Sequence, residues 1–371
     1  MKQLYLILLC VGLLLIGFTA SAQNKYTLSG IVSNEDGKPL KSATVFISGS
    51  QLITMCDGAG KFRFDKVEQG NYQLTVTMVG YAPFSQNIVV QGKSVQVMVK
   101  LKLKQTVLQQ VNIGGKDNWA EHFKLFRKVF LGTSKNAKAC VIVNPKVINF
   151  TTKRGVLLAD ADDFLIIENP RLGYRIKYLL KDFGYNAGSD LALYNGETSF
   201  EPMDGTPSQQ RAWNENRLEV YKGSTMHFLR AVYQNDVLKE GFIINQVYKA
   251  YDDPVFSDND HPRLLIDQRP IKFDTLVNVI DTSFIALKFK LLMFTYNPGK
   301  ARSTKTNSAY PIMKVVRITD RISTIKLYSN QAVIDRTGAH QDFRDFLIEG
   351  PLAKDRVGDQ LPFEYLPQAK E

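Results

Sequence analysis

Residues Tyr26 to Lys104 alternate apolar and polar positions in short runs separated by turn residues, and this periodicity constrains the fold more than any other feature of the chain. Val45 and Ile47, Phe62 and Phe64, the series Tyr72, Leu74, Val76 and Met78, and the series Val95, Val97, Val99 and Leu101 each place every second residue on one side. Side chains of a strand point to opposite faces in turn, so each run has one apolar face and one polar face. Turn residues fall at Asp36-Gly37-Lys38-Pro39 and around Gly49, Gly60 and Gly80. Short strands at this spacing predict a small β-sandwich whose sheets share one core.

The same stretch carries a family pattern. Gly30 with Val32, the turn Asp36-Gly37-Lys38-Pro39-Leu40, Ala43 with Val45, Gly49, Asp57 with Gly60 and Phe62, Gly70 with Tyr72, and Gly80-Tyr81 together resemble the carboxypeptidase-regulatory-like domain, a transthyretin-like β-sandwich. The resemblance implies a seven-strand-type sandwich over residues 23–104 and a non-catalytic accessory role. Carboxypeptidase chemistry is not expected from it. His122, His227, His261 and His340 have no H-x-x-E partner, and zinc needs ligands at close, matched spacing. No metal and no cofactor is expected.

Residues 1–22 read as an export signal. Lys2 precedes the apolar run Leu4 to Phe18, and Ala20-Ser21-Ala22 is an A-x-A cleavage site. The run is shorter than the ~20 residues of a membrane-spanning helix. The expected protein is therefore exported, periplasmic or outer-membrane-associated, with no transmembrane span after signal removal. Leu9 stands before Cys10 where a lipoprotein needs a small residue. The formal charge of +11 falls to +10 without Lys2. The basic residues are dispersed, with no arginine-rich arm, so nucleic acid is not an expected partner. An envelope protein or an anionic envelope glycan or lipid is expected instead. Cys56 and Cys140 remain after cleavage, as a disulfide of an exported protein or as two buried thiols.

Residues 105–117 read as an extended linker, similar to the exit that follows such sandwiches in TonB-dependent outer-membrane receptors. No plug or barrel follows, because the remaining residues are too few for ~22 strands. Residues 118–371 read as a mixed α+β domain, an antiparallel sheet with two helical units. The first unit is Asn118 to Leu131, where Trp119, Phe123, Phe126 and Phe130 share a face. The second is Ser208 to Gln234, divided at Gly223-Ser224, with Ser224 as a cap. Strands are expected at Ala139–Val143, Val147–Thr152, Val156–Asp160, Phe164–Asn169, Gly173–Phe183 and Leu191–Phe200, and again over Ile285–Tyr296 and Pro311–Leu327. The phrases Phe130–Phe150, Glu168–Phe183, Trp213–Phe242 and Leu361–Pro367 resemble the C-terminal region of uncharacterised exported bacterial proteins. That resemblance implies a shared fold and no activity.

Chemical candidates are few. Ser224 and His227 lie three apart on a helix, without the G-x-S-x-G elbow or an orienting carboxylate, so no catalytic residue is assigned. Asp160, Asp162 and Asp163 lack EF-hand spacing, and Asp252, Asp253, Asp258, Asp260 and His261 form an acidic loop without metal specificity. Trp213, Arg217, Tyr221 and Arg230 form an aromatic–arginine stripe able to bind sugar or peptide, but the apolar surface of Trp213, Val220, Phe228, Leu229 and Val232 must pack on the sheet, so the unit is expected to be structural first, with the two arginines at its exposed edge. The expected function is non-enzymatic binding or scaffolding in the bacterial cell envelope. The alternative is a hydrolase of envelope glycan or peptide with its site in residues 118–371. Signal cleavage should leave Gln23 as the first residue. N-terminal sequencing of protein recovered from the envelope fraction checks this, and a chain still starting at Met1 would contradict it.

Overall fold

The computed structural model describes residues 25–104, 118–251, 263–304, 310–317, 322–340, 345–354 and 356–367. The export segment, the linker and the acidic loop of Asp252 to His261 lie outside them. Seven strands make the sandwich: β1 (Tyr26–Asn34), β2 (Thr44–Ile47), β3 (Ile53–Met55), β4 (Lys61–Val67), β5 (Gly70–Thr77), β6 (Phe84–Val90) and β7 (Val95–Leu101). One sheet runs β4-β1-β7, with β1 and β7 parallel, and the other runs β3-β2-β5-β6. The alternating residues meet between them: Val45, Ile47, Phe62, Phe64, Leu74, Val76, Val97, Val99 and Leu101 form one buried cluster. Cys56 is buried in this cluster as a free thiol.

The α+β region from residue 118 onward has the two expected helical units, but its antiparallel strands are divided between two six-stranded sheets and a three-stranded one rather than joined in one sheet. Helix α1 (Trp119–Leu131) and the short α2 (Lys135–Ala139) precede β8 (Val141–Ile142), β9 (Ile148–Lys153), β10 (Val156–Ala161), β11 (Leu165–Asn169), β12 (Tyr174–Asn186) and β13 (Leu191–Pro202). These strands form a six-stranded sheet in which β12 and β13 are a long hairpin. The expected strand at Ala139–Val143 is corrected: Ser134 caps a helical turn as far as Ala139 and leaves only two residues for β8. Helix α1 turns Phe126 and Phe130 onto this sheet, where they meet Phe183 and Tyr178 edge-on at 4.8 Å. Such aromatic pairs contribute ~0.5–1.5 kcal/mol beyond their buried area. Cys140, free and buried, belongs to this second core. The cysteines thus lie in separate cores, and burial pushes their thiols up, to about 11 for Cys56 and about 12 for Cys140.

Helices α3 (Pro207–Tyr221) and α4 (Thr225–Tyr233) follow. The remaining strands are β14 (Phe242–Tyr251), β15 (Arg263–Asp267), β16 (Val277–Val279), β17 (Phe284–Leu287), β18 (Leu291–Tyr296), β19 (Met313–Arg317), β20 (Ser323–Leu327), β21 (Ala332–Asp335) and β22 (Phe346–Glu349), with α5 (Pro298–Ser303) after β18. They form a six-stranded sheet, β19-β15-β14-β18-β20-β22, and a three-stranded sheet, β16-β17-β21. Helix α4 covers this third core, its Phe228 ring stacking on Phe294 at 4.9 Å. No helix among the described residues is long and apolar enough to cross a membrane.

The edge of the third core has a buried ionic clip. Asp267, 5% exposed, accepts from Arg269 Nη2 at 2.6 Å and from the main-chain N–H groups of Arg269 and Ile312 at 3.0 and 3.1 Å. These bonds, led by the guanidinium, lower its carboxyl to about 2. A depressed carboxylate stabilises the fold above its ordinary range near 3.9 and loses that contribution as pH falls through the folded value. Asp267→Asn should therefore destabilise at pH 7, by about 1 kcal/mol once solvent screening of the part-exposed Arg269 is allowed for. Urea melts should show the difference shrinking as pH drops from about 4 toward 2. A difference that does not change with pH would contradict the assignment.

Candidate functional site

The outer face of strands β5 and β6 organises the contacts between the three cores. The period-two alternation that sends Leu74, Val76, Ile88 and Val90 into the sandwich sends Asn71, Gln73, Thr75, Ser85, Asn87 and Val89 outward. Register pairs Asn71 with Val89, Gln73 with Asn87 and Thr75 with Ser85. Each end of this outward face is clamped to a different sheet.

At the Thr75–Ser85 end, Lys181 of β12 donates to Ser85 Oγ at 3.0 Å and to Glu197 of β13 at 2.6 Å. Glu197 is 2% exposed, so the pair is largely shielded from screening. The β2–β3 turn extends this contact through the main chain. Gly49 donates to Thr198 O at 2.8 Å, Phe200 donates to Ser50 O at 2.9 Å, and Phe46 packs on Phe164 with ring centroids 5.6 Å apart. At the Asn71 end, the buried Asp335 carboxylate accepts from the main-chain N–H of Asn71 at 2.7 Å. Thr337 Oγ1 also donates to it, at 2.6 Å, and Ser283 Oγ donates to Gln69 Oε1 at 2.8 Å. Arg336 pairs with Glu68 alongside.

A third tie comes from the C-terminal segment. Val357 is buried in the second core, and Asp359 accepts from Ser134 and Asn136, each at 2.9 Å. Farther on, Phe363 donates to Gly49 O at 2.9 Å and Glu364 accepts from Gln51 N–H. Gly49 has φ +76, and a Cβ there would lie 2.5 Å from the Phe363 ring, so the position needs glycine for two reasons.

Between the clamps lies a cleft of about 410 Å³. Gln73, Asn87 and Val89 form its sandwich wall. Thr198 and Phe200 of β13, Thr225, Met226 and Leu229 of α4, His340, and Gln360 with Phe363 of the C-terminal segment stand around it. The volume is in the lower part of the ~300–1,000 Å³ range of small-ligand sites, and domain junctions are favoured places for such sites. Among the described residues that line it there is no Lys, Arg, Asp or Glu. Asn71, 8% exposed, also lines it, and its covered amide oxygen has no hydrogen-bond partner among the described residues.

The four sequence-predicted binding residues sit outside this cleft. Trp213 is 4% exposed and donates to Pro170 O at 2.7 Å. Its ring fills the space above Gly173, where φ is +65 and a Cβ would lie 2.2 Å from the indole. Arg217 donates to Leu172 O at 2.6 Å and stacks on Tyr174 at 4.1 Å. Tyr221 packs its ring, tilted, against His227 and Tyr365. Arg230 was expected at an exposed margin; the structure corrects this. It is 5% exposed and donates to the carbonyls of Thr337 at 2.9 Å, Tyr365 at 2.7 Å and Phe363 at 3.0 Å. The reason is that α4 is enclosed on nearly every side, with residues 227–232 all buried.

Ser224 caps α4 as expected, accepting from His227 N–H at 3.1 Å. His227 Nδ1 accepts from Gly223 N–H, and Nε2 bonds to Glu240 at 3.0 Å. Burial lowers its pKa despite that carboxylate. Asp160 and Asp162 accept from Asn149 at 3.2 and 3.1 Å, and no metal-binding cluster occurs among the described residues. Sequence reasoning missed the cleft. One signal for it was available: Val45-Phe46-Ile47 is continuously apolar, which marks a strand buried on both faces.

Residues 28–113 match the CarboxypepD_reg-like domain family. The sandwich is that domain's fold. No curated protein matches the chain. Among solved structures, the chain is similar to GBS52, a minor pilin of Streptococcus agalactiae, at 19% identity over 24% of this chain and 49% of the pilin, with a TM-score of 0.20. The alignment thus spans about half of that pilin. A DUF3823 family protein from Bacteroides ovatus aligns at 11% identity over 49% of this chain and 83% of its own, with a TM-score of 0.18. BcpA, the major pilin subunit of Bacillus cereus, aligns at 7% identity over 88% of this chain and 84% of its own, with a TM-score of 0.19. Likenesses of this size carry no argument about function.

Arg230→Ala should destabilise the chain by roughly 3–5 kcal/mol, because three buried carbonyls lose their donor. Arg230→Lys should recover only part, since an ammonium lacks the guanidinium's planar fork. Thermal melts check both, and an alanine variant that melts like the wild type would contradict the assignment.

Proposed function

We propose that this chain is a non-enzymatic binding protein of the bacterial cell envelope, exported by its N-terminal segment, with the junction cleft as its ligand site. One observation carries the reading. The cleft is formed jointly by the sandwich, β13, α4, the turn after β21 and the C-terminal segment, and the polar side chains among its described lining residues are amides, hydroxyls and the His340 imidazole. Such a lining recognises and orients a ligand. Bond-breaking chemistry draws instead on a nucleophile held against a base, or on paired ionisable groups with displaced pKa values. The serine and histidine nearest to that pattern, Ser224 and His227, spend their polar atoms on capping α4 and on Glu240. The clamps at each end of the β5–β6 face hold the walls in register, and a preorganised wall lowers the ordering cost of binding.

The test uses the immobilised chain from Gln23 onward, presented with solubilised envelope material. Wild type should retain a component that Asn87→Trp, which fills the cleft from an exposed strand position, does not retain at unchanged melting temperature. Equal retention by both proteins would remove the cleft from the account. Time-dependent release of shortened glycan or peptide by wild type alone would make the protein a hydrolase and overturn the reading.

A further inference from the structure

Independently of the cleft, we infer that the outer face of the β4-β1-β7 sheet is a docking surface for an anionic lipid bilayer. The two outer faces of the sandwich differ. The β5–β6 face is fastened to the second and third cores. On the β4-β1-β7 sheet, the alternation that buries Phe62, Phe64, Val97 and Val99 turns Lys61, Arg63, Met98 and Lys100 outward, and all four are exposed. The central strand β1 carries short outward side chains, Ser29 and Ser33, with Ile31 half-buried between them. Register sets Lys61 and Met98 on either side of Ile31, Arg63 beside Ser29 and Lys100 beside Ser33. Cross-strand neighbours on one face stand close together, so basic side chains rim a low central strand on both sides.

Charge complementarity selects an anionic partner. Lys61 and Lys100 make no ion pair among the described residues. The acid of the face, Asp65, accepts from Arg63 Nε at 2.7 Å and from Thr27 Oγ1 at 3.3 Å. Asp36 and Asp57, in the turns flanking these strands, accept from Asn34 and from the main-chain N–H groups of Ala59 and Lys61. Met98 decides between a lipid surface and a soluble polyanion. Its side chain is 80% exposed amid the lysines. A soluble polyanion would meet the charges and leave the thioether in water. At a bilayer the ammonium groups stay at the headgroups while a methionine beside them enters the acyl boundary. A protein partner fits less well, because stable interfaces are anchored by aromatic residues and the outward positions of these three strands hold none. Docked this way, the sandwich would hold the junction and the α+β region on its side away from the lipid.

The experiment is co-sedimentation of the chain from Gln23 onward with vesicles of phosphatidylcholine alone or mixed with phosphatidylglycerol. Binding is expected to the mixed vesicles only, and it should fall as salt rises. Lys61→Glu combined with Lys100→Glu should lower the partition coefficient by roughly thirtyfold or more at unchanged melting temperature. Met98→Ser should weaken binding several-fold. Lys124→Glu combined with Lys128→Glu removes the same charge from exposed positions of α1 and should leave most of the binding. The inference is overturned if the mixed vesicles bind nothing, or if the two double variants lose binding equally, since net charge and not this face would then hold the protein. Met98→Ser binding like wild type, or retention on immobilised dextran sulfate without retention on vesicles, would overturn the choice of a lipid surface. Asn87→Trp should leave vesicle binding unchanged, so this result and the test of the cleft are read separately.

Discussion

The buried guanidinium of Arg230 is the interaction on which the arrangement of this protein depends. It donates to a turn of the third core and to two carbonyls of the C-terminal segment. Those carbonyls belong to irregular backbone outside any sheet, so no ladder would otherwise satisfy them. A buried cation without a carboxylate partner is tolerable only when such dipoles surround it. The same bonds fix where Phe363 and Glu364 lie. Through them the C-terminal segment reaches Gly49 and Gln51 of the sandwich. One side chain on α4 thereby ties the third core to the end of the chain, and the end of the chain to the sandwich.

The cleft follows from that arrangement. The outer face of β5–β6 is fastened at Asn71 to one sheet and at Ser85 to another. The middle of the face, where Gln73 lies opposite Asn87, lines the cleft between the two clamps. Closing the gap would require breaking the Lys181–Glu197 pair or the Asp335 bonds, both largely withdrawn from water. The polar character of the gap is therefore maintained by contacts outside it. This separation allows the lining to vary without loss of the fold, which is how binding sites are commonly placed on rigid frames.

Much of the fold could be read from the sequence because alternation and capping are local signals. The seven strands of the sandwich, the α3–α4 break at Gly223-Ser224 and the aromatic face of α1 all came from spacing within single segments. The packing of Trp213 also followed from the apolar surface of its helical unit, but the role of Arg230 did not. An aromatic–arginine stripe reads the same whether it faces solvent or the chain's own carbonyls, and here the partners are 43 to 135 residues away in sequence. The cleft was invisible for the same reason. Gln73, Thr225 and Gln360 share no motif, and only the docking of three cores brings them together. The division of the α+β region between separate sheets depended likewise on long-range strand pairing, which period-two patterning does not specify.

The central claim is that the C-terminal segment makes the three cores one cooperative unit. Calorimetric unfolding of the chain from Gln23 to Glu371, against the same chain ending at Gln360, tests it most directly. The intact chain is predicted to unfold in a single transition. The shortened chain, without the Phe363 and Tyr365 carbonyls and the Glu364 contact, is predicted to show the sandwich melting apart from the remainder, with the third core less stable. A shortened chain that keeps one transition at the wild-type temperature would contradict the account.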